Sequence, residues 1–112
     1  MNINLNRLEK PSLFEKFKTQ VYKDYELSAT LEFIPIISSN NLDDLINGFY
    51  NSIVRLELSN NLKNLLYRID INEIEIQKEI QKNPNKNLQQ LLAELMIKRI
   101  LQKVIFKELY SK

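Results

Sequence analysis

With no histidine and no cysteine among its 112 residues, this chain leaves acid–base and nucleophilic chemistry to carboxylates, lysines, tyrosines and hydroxyls. The two absences remove the usual neutral-pH general base, thiolate zinc ligands, disulfides and Cys nucleophiles. Asp43-Asp44 has the composition of a Mg²⁺-binding carboxylate pair, but acids in the first turn of a helix explain it more simply, because they complement the macrodipole. Glu73, Glu75 and Glu79 are metal-capable only if they cluster. Lys78 and Lys82 lie beside them, which is the pattern of a solvated helix face. The loop 83–87 lacks the alternating ligands and closing Glu of a calcium loop. A single glycine cannot build a phosphate-binding cradle, and no serine has a histidine, or a lysine three residues on, to activate it.

The basic residues are unevenly placed. After Lys98 the only acid is Glu108, against Lys98, Arg99, Lys103, Lys107 and Lys112. Cations at a helix C-terminus suit its negative dipole end. The sharper reading makes Lys98, Arg99, Lys103 and Lys107, with Tyr110, a stripe for an anion or a nucleic-acid groove. Glu94, one turn before Lys98, suggests ordinary pairing along the helix instead. Tyr67-Arg68-Ile69-Asp70 is a second candidate recognition corner. Its structural reading is favoured: Asp70 caps the following helix, Arg68 binds a carbonyl or carboxylate, and Tyr67 covers the seam.

These side chains need helices to position them. Pro11 followed by Ser12-Leu13-Phe14-Glu15 matches a capping box, and Phe14, Phe17, Val21 and Tyr25 make one apolar stripe over 13–26. The segment 27–38 is ambiguous. Leu27, Ala29, Leu31 and Phe33 alternate like a strand, yet Pro35 confines such a strand to an edge. An extended, partly buried connection near 27–34 is expected. Asn40 and Asn41 precede a broad stripe from Leu42 to Leu56, with Gly48 inside it. Ser59 caps a short helix carrying Leu62, Leu65, Leu66 and Ile69. Another runs from Asp70 to Gln81 with Ile71, Ile74 and Ile80 inward. Residues 83–87 are a loop by composition. Ile3, Leu5 and Leu8 suggest an N-terminal arm that packs on the body or on a neighbour.

Asn87 to Tyr110 is the longest helical pattern, and its apolar residues change sides. At ~100° per residue, Leu88, Leu91, Leu92, Leu95 and Met96 share one face. Ile97, Ile100, Leu101, Val104 and Ile105 occupy the opposite one. Phe106, Leu109 and Tyr110 return to the first. A central helix contacted from several sides, a kink near Met96–Arg99, or a subunit interface on one half would each meet this pattern.

The expectation is one all-α domain over 1–112, with four to five helices in an orthogonal or bundle-like arrangement. No apolar run approaches the ~18 residues of a membrane span, and the N-terminus lacks signal-peptide character, so a soluble cytoplasmic protein without cofactor or small-molecule ligand is expected. The leading function is a protein-interaction or assembly protein, not an enzyme. Its partner is itself or another protein, and the interface is Ile97, Ile100, Leu101, Val104 and Ile105. A nucleic-acid-binding accessory protein is the alternative. A carboxylate-based enzyme is the second.

Overall fold

Three helices in this chain end without glycine, by the same device. Ala29, Asn60 and Asp70 take left-handed backbone angles, at φ 59, 61 and 71°. In each case the following amide reaches back across the last turn: Thr30 N–H to Tyr25 O, Asn61 N–H to Leu56 O, and Ile71 N–H to Leu66 O, at 2.9–3.0 Å. This closure satisfies carbonyls that would otherwise be orphaned. It fixes where α1 (Pro11–Leu27), α2 (Leu42–Leu58) and α3 (Leu62–Ile69) stop. Two further helices follow, α4 (Glu73–Lys82) and α5 (Leu88–Tyr110). The computed structural model describes residues 5–110. Ile3 and Lys112, to which the sequence reading gave roles, lie outside them.

The fold is all-α, a compact arrangement of five helices with no strand among the described residues. The expected extended piece near 27–34 is instead the last turn of α1, the left-handed Ala29, and a short 3-10 helix, Leu31–Phe33. Alternation there was a poor guide because no second segment among the described residues offers a ladder. Two side chains of α2 supply the partners. Ser52 Oγ donates to Phe33 O at 2.5 Å, and the Arg55 guanidinium lies 3.4 Å from the carbonyls of Glu32, Phe33 and Ile34. Since the Ser52 proton is committed to that carbonyl, the buried Tyr25 hydroxyl is the donor in its 2.7 Å bond to Ser52 Oγ. Burial raises the phenol of Tyr25 above its ordinary value of 10.0, opposed by Ser52 and Arg55, so it remains a neutral donor through physiological pH.

Gly48 has a packing role. An added Cβ would lie 2.5 Å from the carbonyl oxygen of Ile36, a backbone atom. The segment after the 3-10 helix therefore rests on α2 at a point where only glycine leaves room. Helix propensity alone predicts that Gly48→Ala stabilises by about 1 kcal/mol. The steric conflict is expected to reverse the sign, with a net loss of about 1–3 kcal/mol by urea denaturation. A stabilised variant would mean that 35–37 moves aside without cost.

Several start signals lie one or two residues from where the sequence suggested. α1 begins at Pro11 with Lys10 as N-cap and no side-chain cap, so the Ser12–Glu15 box does not form. Ser59 closes α2 and does not open α3. Asp70 ends α3, and Asn72 caps α4 by accepting from the Glu75 amide at 2.8 Å. Asn41 does cap α2, accepting from the amides of Asp43 and Asp44. α4 meets the core through Ile76 and Ile80, one turn apart, whereas Ile74 lies on the other side and is 68% exposed.

The core gathers Leu8 from a 3-10 turn at Leu5–Glu9 with residues of α1, α2, α3 and α5 into one contiguous apolar cluster. Phe17 and Phe49 pack across it, ring centroids 6.2 Å apart. α5 runs uninterrupted through the middle and is packed by α1, α2, α3 and α4. No helix among the described residues is long and apolar enough to cross a membrane.

Candidate functional site

Every residue of the expected interface is in this chain's own core. Ile97, Ile100 and Leu101 have no exposed surface, and Val104 and Ile105 retain less than a tenth. The interface assignment to this face is therefore corrected. Both apolar faces of α5 are met from within, because short elements each cover an arc of it. α1 runs antiparallel to its second half, as successive pairs show: Asp24 with Lys103, Gln20 with Lys107, and Lys16 with Glu108. The C-terminal end of α2 reaches the start of α5, where Gln89 donates to Glu57 at 3.1 Å.

The basic stripe is also largely spent internally. Lys103 Nζ lies 3.2 Å from both carboxylate oxygens of Asp24 and 3.1 Å from Arg68 O. Asp24 is wholly buried, and it also takes a 3.0 Å bond from Gln20 Nε2 and a 3.5 Å contact from Arg68 Nε. Arg99 donates to Asp70 O at 3.0 Å and to Gln102 at 3.1 Å, and it pairs with Glu75 at 3.4 Å; its Nε is buried without a hydrogen-bond partner among the described residues. Lys107 Nζ donates to Gln20 Oε1 at 2.6 Å. Lys98 lies apart from these, in a hollow shared with Glu79 and Glu94. Glu94 pairs with Lys86 at 2.7 Å, across the loop, and not with Lys98 as helix spacing suggested.

The geometry thus converts the four candidate anion-binding cations into different roles. Arg99 ties α5 to the α3–α4 corner. Lys103 ties it to α1 and α3 through a buried carboxylate. Lys107 is exposed yet held against Gln20. Partial withdrawal from water, then the charge of Lys23, push its ammonium below the ordinary lysine range, with Lys103 adding to this and Asp24 opposing it.

The carboxylates are dispersed. No three of them gather into a metal-capable cluster among the described residues. Asp44 accepts from Ser39 at 2.7 Å, Glu75 serves Arg99, and Glu79 lies 3.8 Å from Lys82. Arg68 binds a carboxylate as expected of the Tyr67–Asp70 corner, but Tyr67 is 88% exposed and covers nothing.

What sequence reasoning missed is at the end of α5. Phe106, Leu109 and Tyr110 are 36, 58 and 81% exposed, and the Phe106 and Tyr110 rings stand 6.3 Å apart. Phe106 sits roughly 160° around the helix from Val104, which faces the α1 seam. The signal was present, because these three residues return to the first apolar face after the switch, beyond the reach of the elements that cover that face earlier. Comparison of the chain with family models, curated proteins and solved structures finds no match to any of them.

Proposed function

We propose that this chain is a small helical assembly protein that pairs with a second copy of itself through the end of α5. The observation that carries this reading is the exposed group Phe106, Leu109 and Tyr110 at the end of a helix whose apolar residues from Leu91 to Ile105 are all buried. Aromatic side chains presented at a helix end supply large contact area at low entropic cost. The neighbouring surface carries both signs of charge, in the pairs Lys16–Glu108 and Lys18–Glu15. A two-fold interface sets such a surface against itself, so a mixed rim offers each lysine a glutamate of the other copy. A net charge of +2 adds little long-range repulsion between copies.

Three apolar side chains are a small patch beside the roughly 800 Å² per partner of a stable complex. The association is therefore weak and concentration-dependent. Sedimentation equilibrium over a wide concentration range tests it. The wild-type mass is expected to climb from the 13.3 kDa of one chain towards twice that value. Leu109→Glu and Tyr110→Glu are expected to stay monomeric throughout with unchanged far-UV circular dichroism. A wild type that stays monomeric at every concentration overturns the reading.

A further inference from the structure

Three cations converge on one carboxylate at the seam of α1, α3 and α5, and a fourth stands beside them. Lys103 and Arg68 pair directly with Asp24. Lys107 reaches it through Gln20, and Lys23 stands close enough to act on Lys107. A cleft of about 430 Å³ opens beside it between α1 and α5, with Lys16, Lys23, Lys107, Gln20 and Val104 in its walls.

We propose that this cleft binds the phosphoryl group of a small phosphate ester between the ammonium groups of Lys23 and Lys107. Glu15 and Glu108 also line the cleft, but they are paired with Lys18 and Lys16. That leaves the Lys23–Lys107 end as the place for an anion. No arginine lines the cleft. A planar carboxylate is best matched by the guanidinium fork, whereas ammonium groups act as point charges that surround a tetrahedral dianion. The volume falls in the range of small-ligand pockets. A dianion at this point also relieves the repulsion that now acts on Lys107.

The test follows lysine side-chain NMR signals during titration with phenyl phosphate. Saturable shifts are expected at Lys23 and Lys107. Lys107→Gln and Lys23→Gln are each expected to weaken binding about tenfold, the value of one lost charge-assisted contact, at unchanged melting temperature. Lys98→Gln, in a separate hollow, is expected to bind as wild type. Shifts that never saturate, or that persist in both cleft variants, overturn the site. Equal affinity for phenylacetate overturns the phosphoryl assignment. Tighter binding of a single-stranded oligonucleotide to the same lysines overturns the small-ester source.

Discussion

Lys103→Met is expected to lower the free energy of unfolding by about 3 kcal/mol, the range found when one partner of a buried ion pair is removed. The reason is the burial of Asp24, whose side chain has no exposed surface while that of Lys103 keeps 23%. Desolvating a carboxylate is costly unless cations and hydrogen-bond donors replace its water. Lys103 supplies the nearest charge to both oxygens, whereas Arg68 stands farther off and is 40% exposed. Methionine keeps the aliphatic bulk, so the loss reports charge and hydrogen bonding and not packing. Lys103 also donates to Arg68 O, which ties α3 into the same junction. Urea titration at neutral pH measures the effect. Combining Lys103→Met with Asp24→Asn is expected to cost less than the sum of the single changes by at least about 1 kcal/mol. A single-variant cost below about 1 kcal/mol, the level of an exposed pair, would mean that Gln20 and Arg68 suffice for Asp24.

That junction was invisible in the sequence. Asp24 and Lys103 are 79 positions apart, and neither has a spacing that signals burial of charge. Local rules work through helix neighbours, and they assigned Glu94 to Lys98 although the chain folds Lys86 back onto Glu94. The basic stripe looked like one surface for the same reason. Spacing placed Arg99, Lys103 and Lys107 a turn apart on α5, but it could not show that Glu75 of α4, Asp24 and Gln20 of α1, and the Arg68 carbonyl of α3 meet them.

The helices themselves were legible where periodicity carried them. Phe17, Val21 and Tyr25 on α1, and Leu45, Phe49, Ile53 and Leu56 on α2, are all core residues. The helix ends were not, because the chain stops three helices with left-handed Ala, Asn and Asp in place of glycine. A stop at Ala29 has no compositional signature, so the residues after it read as a strand. The close approach at Gly48 could not be read from one sequence either, since the atom that requires it belongs to Ile36, in an irregular segment without a pattern.

Ile100→Glu separates the two ways of covering α5. Were its second face a subunit interface, this substitution would yield a folded monomer. In this structure Ile100 is completely buried inside its own chain, so the charge has no route to water. The loss combines a deleted core side chain, about 2–5 kcal/mol, with the desolvation of a carboxylate that has no partner at that position. Together they match or exceed the 5–15 kcal/mol that typically separates folded from unfolded domains. Ile100→Glu is therefore expected to lose most far-UV helical signal at 25 °C, while Leu109→Glu, a turn and more beyond it on an exposed site, keeps the signal and its melting temperature. A fully helical, monomeric Ile100→Glu would reinstate the second face as an interface. The contrast depends on which face of α5 the other helices cover. Through Ile105 its apolar residues from Leu91 on are buried, and a charge at one of them unfolds the chain. From Phe106 onward the apolar residues face outward, and a charge there changes only what the helix end can meet.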